Sequence, residues 1–281
     1  MCHALGVAVR IRDALMGRLD ELRFEPIEKR IRATLARRQV IDSERAMLVW
    51  EPKRVTPAYA VPADDIDAEL IAAMPGEDGL VADGAPELAG RPVYDPSIPF
   101  TVHTTDGHSL DIGIDDEQRQ KAAFRPTDPA LEGYVVLDFD AFDAWYEEDE
   151  LNVGHPRDPF HRIEIVHSSR SVRVELGGAL IAESTTPYLL LEPPLPVRYY
   201  LPAEDIVDGA LRPSETRTRC AYKGEAAYWS TDGDQDIAWS YAEPLREARE
   251  VTGRIAFFNE RVDLIIDGQH LNRPITPWSK R

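Results

Sequence analysis

Cysteine is scarce in this sequence. The 281 residues include two cysteines, Cys2 and Cys220. Two thiols cannot form the set of disulfides that holds a small secreted domain together. They also exclude a zinc site built from three or four cysteines. Each cysteine is therefore considered singly, as a small buried side chain or as a reactive thiol.

Long apolar runs are lacking as well. No segment approaches the roughly 20 apolar residues that a helix needs to cross a bilayer. Charged residues interrupt every apolar stretch of residues 1–22, which is untypical of a secretory signal peptide. We therefore expect a cytoplasmic protein without a membrane partner.

Positive charge is in the minority. The chain has 32 basic and 50 acidic residues, and its formal net charge is -18. This charge repels phosphate backbones, and no basic cluster offsets it, so we expect no nucleic-acid partner. A hydrophobic fraction of 43% and a charged fraction of 29% are typical of a globular protein of one or two domains.

The chain contains an internal repeat. Residues 31–66 and 172–206 share an alternating run, a turn, an apolar run with serine, a third run ending in Glu-Pro, and a closing Pro-Ala-x-Asp-Ile. The Glu-Pro pair is Glu51-Pro52 in the first copy and Glu192-Pro193 in the second. Matches that keep one order along the chain indicate duplication of a folding unit.

The likeness resumes further on. Thr-Asp-Gly occurs at 105–107 and at 231–233, and GYVVLDFDAFD from Gly133 parallels GRIAFFNERVD from Gly253. The offset between the copies shrinks along the chain. We therefore place extra residues of the first copy in the Gly- and Pro-rich stretch 72–92.

The expected fold is mainly β: two tandem, compact antiparallel β domains, roll- or barrel-like, each with one short helix, plus a short N-terminal helix. Alternating runs around Gly177-Gly178 predict a hairpin, and PLREAREVTG predicts the short helix of the second copy. We expect an N-terminal helical segment (1–27), a first β domain (28–150), a linker (151–162), a second β domain (163–272) and a tail (273–281).

The N-terminal segment shows one apolar helical face. We expect this face to pack on the body of the protein. Its residues are Val7, Ile11, Leu15, Leu19 and Leu22.

Reactive and aromatic side chains concentrate in TRTRCAYKGEAAYWS, residues 216–230. Cys220 and Lys223 are the candidate catalytic residues. Counted back from Thr-Asp-Gly, they fall opposite Tyr94 and Ser97, so the first copy lacks them. The candidate ligand-binding residues are Arg217, Tyr222, Tyr228, Trp239, Tyr241, Tyr199 and Tyr200.

The segment CAYKGEAAYW, with YYLPAEDI before it and DIAWSY after it, resembles the bacterial domain-of-unknown-function family 427, also labelled nucleotidyltransferase-like. The resemblance covers nearly the whole second copy, and the first copy looks like a diverged member. It implies a compact, mostly β domain and no established reaction. The sequence shows no Gly-Ser loop followed by paired carboxylates. Asp138 and Asp140 lie in an acidic run that we interpret as a solvated face.

The chemistry of Cys220 depends on local geometry. Cations lower the pKa of a thiol, and Arg217, Arg219 and Lys223 are nearby in sequence. Residues three apart on a strand point to opposite faces, whereas a turn, which Gly224 favours, brings Cys220 and Lys223 together. The alternative is that Cys220 is a buried small side chain and that Lys223 lies over an aromatic ring.

Other polar side chains receive a structural interpretation. His155, Asp158 and His161 belong to a Pro-rich linker rather than to a metal site. His103 and His108 flank a turn and are assigned to a surface hairpin. No metal or cofactor is indicated.

Three functions stay open. The first is binding or transforming a small molecule, anionic if Lys223 and Arg217 anchor it, in a pocket of the second domain. The second is a non-catalytic scaffold for a basic protein partner, and the third is a nucleotidyltransferase-like enzyme, supported by the family label alone. The sequence does not decide whether the protein is an enzyme. A pair of related domains predicts a pseudo-twofold monomer or a weak homodimer.

Overall fold

The computed structural model describes residues 8–74 and 85–279. Most of its regular structure is β-strand, which confirms the mainly β prediction. One α-helix, α1 (Ile11–Gly17), precedes the strands. Cys2, Val7 and part of the predicted 72–92 loop lie outside the described residues.

The first half of the chain forms two larger antiparallel sheets and a small two-stranded one. Its strands are β1 (Arg23–Pro26), β2 (Ile31–Leu35), β3 (Arg38–Ser43), β4 (Met47–Trp50), β5 (Ala58–Pro62), β6 (Glu69–Ala72), β7 (Glu87–Leu88), β8 (Arg91–Pro92), β9 (Gly107–Ile114), β10 (Glu117–Pro126), β11 (Tyr134–Leu137), β12 (Ala144–Glu147) and β13 (Glu150–Asn152).

A seven-stranded sheet in the order β1-β4-β5-β11-β10-β9-β6 packs on a four-stranded sheet in the order β13-β12-β2-β3. The burial of β2 alternates because its apolar side chains enter the core between the sheets. This core includes Ile31, Tyr59, Ile112 and Trp145.

The second half forms another pair of antiparallel sheets. Its strands are β14 (Glu164–His167), β15 (Val172–Leu176), β16 (Ala179–Ser184), β17 (Tyr188–Leu191), β18 (Arg198–Leu201), β19 (Arg212–Cys220), β20 (Gly224–Ser230), β21 (Ala238–Ser240), β22 (Ile255–Phe257), β23 (Asp263–Ile266) and β24 (Gln269–His270).

The seven-stranded sheet of this half has the order β14-β17-β18-β22-β21-β20-β19, and the four-stranded sheet has the order β16-β15-β23-β24. When the strands of the two halves are matched by their order along the chain, the sheets of the second half have the same strand orders as those of the first half. In the described residues, the edge strands of each seven-stranded sheet do not pair with each other, so the sheets stay open rather than closing into barrels.

The predicted short helices are 3₁₀ segments: Pro129–Leu131 in the first half, and Arg246–Val251, interrupted by a kink at Ala248, in the second. Asp128 begins the first of them, and its side chain accepts a hydrogen bond from the Ala130 N–H. Both segments lead into the strand that crosses the middle of a seven-stranded sheet.

The N-terminal segment differs from its prediction. Ile11 and Leu15 are 76% and 66% exposed, whereas Met16 and Leu19 are buried. The helix ends at Gly17, which is too short for one continuous apolar face. β1 already belongs to the first sheet, within the segment that the sequence assigned to the helical region.

The alignment of the two halves through Thr-Asp-Gly is wrong. Residues 105–107 lead into β9, whereas residues 231–233 follow β20, the strand at the same position in its sheet. A three-residue turn motif recurs in unrelated turns, because its residues are common in turns generally. Cys220 and Lys223 therefore do not lie opposite Tyr94 and Ser97.

Candidate functional site

The site is built on the hairpin of β19 and β20. Cys220 is the last residue of β19 and pairs with Gly224, the first residue of β20. The three-residue turn between them ends at Lys223. Gly224 has a φ of 92°, in the left-handed region that glycine adopts without strain. This turn places the Lys223 charge beside the Cys220 thiol.

Lys223 forms a buried ion pair with Glu192. Its Nζ donates to Glu192 Oε2 at 2.5 Å, and both side chains are about nine-tenths buried. Burial alone would lower the pKa of Lys223, but Glu192 and Cys220 outweigh it, so the pKa of Lys223 lies well above its usual value. Lys223 therefore stays protonated, as a fixed positive charge rather than a nucleophile.

Glu192 follows β17 and lies between Lys223 and His161. His161 Nε2 lies 3.5 Å from its Oε1, opposite the oxygen that accepts from Lys223. Burial opposes ionisation of Glu192, yet Lys223 and His161 lower its pKa to about 2. Glu192 is therefore ionised and holds Lys223 in place.

The Cys220 thiol has a lowered pKa. Burial acts to raise the pKa of Cys220, and the Lys223 charge and a hydrogen bond with His155 outweigh it. His155 Nδ1 lies 2.8 Å from the Pro156 carbonyl oxygen, which can only accept. Nδ1 therefore carries the proton of the neutral ring, and Nε2 is free to accept the thiol proton.

Residues of the first half hold His155 in position. Asn152 Nδ2 donates to the His155 carbonyl oxygen at 3.1 Å and to Tyr59 Oη at 2.9 Å. Tyr59 Oη donates in turn to Glu147 Oε1 at 2.7 Å. Gly154 has a φ of 85°, and a Cβ there would lie 3.2 Å from the Arg219 carbonyl oxygen. The segment that carries His155 thus packs directly on the end of β19.

Tyr222 fixes the same segment from the other side. Its Oη accepts from the Asp158 N–H at 2.7 Å, and its ring contacts those of His155 and His161. Burial raises the pKa of Tyr222, so its hydroxyl stays protonated. Tyr222 is a wall of the site and an anchor for the connecting segment.

Aromatic side chains of the central strands complete the surroundings of the thiol. Burial raises the pKa of Tyr200 to about 12, and the hydroxyl of Tyr200 accepts from Trp239 Nε1 at 3.0 Å. Tyr241 is buried beside Lys223 and Cys220, and Tyr228 Oη shares a 2.9 Å hydrogen bond with Thr218. These four belong to one apolar cluster on the face of the sheet away from the four-stranded sheet.

Two of the predicted ligand-binding residues lie elsewhere. Tyr199 faces the core between the two sheets, because successive residues of a strand point to opposite faces. Arg217 is exposed, and its Nη1 donates to the carbonyl oxygens of Ser214 and Thr216. Arg219 is also exposed and pairs with Glu225 at 3.4 Å. The arginines do not face the thiol, so the positive charge expected from them comes from Lys223.

Sequence reasoning missed Glu192 and His155. Glu192 had a usable signal, since the Glu-Pro pair occurs in both copies. His155 had none, because the Pro residues around it are typical of a linker. The sequence analysis treated this segment only as a linker. The segment also carries His155, which interacts with the Cys220 thiol.

The first half has a buried glutamate at the position that corresponds to Glu192. Glu51, which follows β4 as Glu192 follows β17, accepts from His103 Nδ1 at 2.9 Å and from the Thr104 N–H at 2.7 Å. The His103 side chain is 7% exposed and stacks on Phe124 at 3.7 Å. The assignment of His103 to a surface hairpin is therefore wrong.

Asp138 is not part of a solvated face either. It is half-buried in the wall of a cavity, and burial raises its pKa despite the Asp140 N–H, Arg54 and His103 nearby. Asp140 is exposed, as the sequence predicted. Within residues 8–74 and 85–279, no group of three or more His, Cys, Asp and Glu side chains is arranged to hold a metal ion.

Comparison with known protein families finds a match in the second half of the chain. Residues 164–268 match the family described as domain of unknown function DUF427. This range runs from β14 into the turn after β23 and includes Glu192, Cys220 and Lys223. The match confirms, for this half, the resemblance carried by CAYKGEAAYW. No curated protein matches the chain.

No helix of the described residues has the length and apolar character required to cross a membrane.

Proposed function

We propose that the protein is a thiol-dependent enzyme that acts on a small molecule at Cys220. The observation that carries this proposal is the convergence of His155 and the Lys223–Glu192 pair on one thiol. In this role Cys220 passes its proton to His155, and the thiolate attacks the carbonyl carbon of an ester or thioester. The bond from that carbon to the leaving group then breaks, and His155 returns the proton to the leaving group.

Lys223 then acts through its charge. An ammonium group held beside the sulfur favours the thiolate over the thiol, as a nearby cation does in other reactive cysteines. Glu192 fixes that charge, so it needs no rearrangement when the thiol ionises. Glu192 already neutralises the charge of Lys223. Contrary to the expectation from the sequence, Lys223 therefore does not anchor an anionic substrate, and the site favours a neutral electrophile.

The aromatic side chains provide the apolar part of the site. Tyr222 and Trp239 are buried, and Tyr228 packs against the apolar cluster that contains Trp239. A site of this kind combines an apolar lining with a few converging polar groups, as small-molecule sites do. A scaffold function does not require a half-buried thiol with a lowered pKa, whereas a thiol-dependent reaction does.

Covalent trapping tests this function. The full chain in a Cys2→Ser background is incubated at neutral pH with a panel of small neutral electrophiles, such as thioesters and activated esters. Intact-mass spectrometry follows adduct formation, and Cys220→Ser is the matched control. The proposal predicts adducts on Cys220 with at least one electrophile and none in Cys220→Ser. Absence of adducts across the panel, while the unfolded chain reacts, would contradict it.

We also infer that the first half is a diverged copy of the same domain. The repeated strand order, the Glu-Pro pairs and the matched positions of Phe124 and Trp239 support this origin. On this proposal the two halves are domains joined by residues 153–162, two residues later than the predicted start of the linker, because Glu150–Asn152 form β13. The chain is a cytoplasmic monomer. A solution mass near twice 31.6 kDa would argue against the monomer.

A further inference from the structure

His103 has one ring nitrogen without a partner. Its Nε2 is buried, and the described part of the chain offers it no hydrogen bond. Nδ1 faces a carboxylate oxygen of Glu51 and therefore carries a proton. In the neutral ring Nε2 is then an acceptor, and burying an acceptor without a donor is unfavourable. A ligand N–H would remove that cost.

A cavity of about 90 Å³ lies next to this histidine. Glu51 and Phe100, which contact the His103 ring, both line it. Asp138, which interacts electrostatically with His103, lines it too. The connecting segment closes another side with Gly154, His155 and Pro156.

The cavity offers acceptors rather than donors. Arg54 is its one lysine or arginine, and both terminal nitrogens of Arg54 already donate to main-chain carbonyl oxygens. These oxygens belong to Ile98, Pro99 and Val102, at 2.8, 2.6 and 2.8 Å. Asp138 and Asp140 line the cavity in addition to Glu51. Asp138 Oδ1 accepts the Asp140 N–H at 3.1 Å, which leaves its second oxygen for a ligand.

The geometry points to a second ligand site in the first half, which binds a compact aliphatic amine in its ammonium form. The ammonium group donates one N–H to Asp138, which neutralises its charge, and a second N–H to His103 Nε2, which otherwise has no partner among the described residues. The apolar side chains that line the cavity, among them Val49, Phe100 and Val136, accommodate the short alkyl chain. A space of this volume suits a chain of a few carbon atoms. This site does not depend on the proposed chemistry of Cys220.

The amine site is tested by titrating the full chain with n-butylammonium by calorimetry. Butyrate and 1-butanol are the matched ligands of opposite and zero charge. The inference predicts saturable 1:1 binding of n-butylammonium and weaker or no binding of the other two. Asp138→Asn keeps the hydrogen-bond acceptor for the Asp140 N–H but removes the charge, and it should weaken binding by about tenfold or more.

Two variants provide controls. Asp116→Asn alters an exposed carboxylate in the turn between β9 and β10 and should leave binding unchanged. His155 borders both sites, but Cys220→Ser should also bind n-butylammonium normally, because this ligand does not contact the thiol. No saturation below about 10 mM, equal binding of 1-butanol, or unchanged binding by a folded Asp138→Asn protein would overturn the inference.

Discussion

At the scale of single residues, the Glu192–Lys223 pair dominates the site. Both side chains are buried, so each charge depends on the other for compensation. Glu225 and Arg219, on the same hairpin, form an exposed pair that serves as a comparison. Exposed pairs contribute about 0–1 kcal/mol, whereas breaking a buried one costs about 3–5 kcal/mol.

We therefore expect Glu192→Gln to reduce the free energy of unfolding by about 3–5 kcal/mol, because the Lys223 ammonium loses its partner. Glu225→Gln should change it by less than about 1 kcal/mol. Adding Lys223→Met to Glu192→Gln should recover much of the loss. Urea unfolding followed by circular dichroism measures all three. Equal effects of the two Gln substitutions would show that the pair is not buried in solution.

The same pair predicts a dependence of stability on pH. The pKa of Glu192 is about 2 in the folded protein, below its ordinary value of 4.5. A depressed folded-state pKa contributes stability above pH 4.5 that is lost as the pH falls towards 2. The difference in unfolding free energy between wild type and Glu192→Gln should therefore shrink over this interval. A constant difference would contradict the assignment.

Residue types in the site were only partly predictable from the sequence. The motif drew attention to Cys220 and Lys223, which are three residues apart and meet through a local turn. Their partners Glu192 and His155 come from distant parts of the chain, and tertiary packing alone brings them together. Arg217 and Arg219 are close to Cys220 in sequence, and the sequence therefore suggested that they act on its thiol. Both side chains lie on the other face of the strand, because residues an odd number of positions apart point to opposite faces.

At the scale of elements, the turn of the β19–β20 hairpin aligns the thiol with its cation. Gly224 has a φ of 92°, and a Cβ there would lie 3.4 Å from Leu245 N and Cγ. Gly178, in the β15–β16 hairpin, has a φ of 81° and open space around it. The two glycines therefore share the backbone requirement and differ in their surroundings.

Alanine at either glycine should destabilise the fold by about 1 kcal/mol, because a side chain is strained at positive φ. Gly224→Ala should in addition slow alkylation of Cys220, because a shifted turn moves Lys223 away from the sulfur. Thermal unfolding and the alkylation rate at neutral pH measure the two effects. An unchanged rate in Gly224→Ala would mean that the turn does not control the thiol.

Strands and hairpins were well predicted where the pattern was local. The alternation around Gly177-Gly178 identified β15 and β16, and PLREAREVTG marked the position of a short helix. The match through Thr-Asp-Gly failed, because the hairpin loops differ between the halves. Short motifs identify turns but do not show which strands a turn connects.

At the scale of the whole molecule, the first half supports the site of the second. Glu147, Tyr59 and Asn152 form a chain of hydrogen bonds that ends at the His155 carbonyl oxygen. Arg157 Nε adds a 3.3 Å bond to the Ala221 carbonyl oxygen in the turn of the hairpin. The sequence predicted two related β units but not this dependence, because it arises from contacts between segments that share no motif.

The central claim is that His155 and Lys223 stabilise the thiolate of Cys220. The measurement that tests it most directly is the alkylation rate of Cys220 against pH, in a Cys2→Ser background, with and without His155→Ala. We predict a half-maximal rate at a pH well below the free-thiol value of about 8.5, and a higher midpoint in His155→Ala. A midpoint at or above about 8.5, or no reaction until the protein unfolds, would contradict the claim.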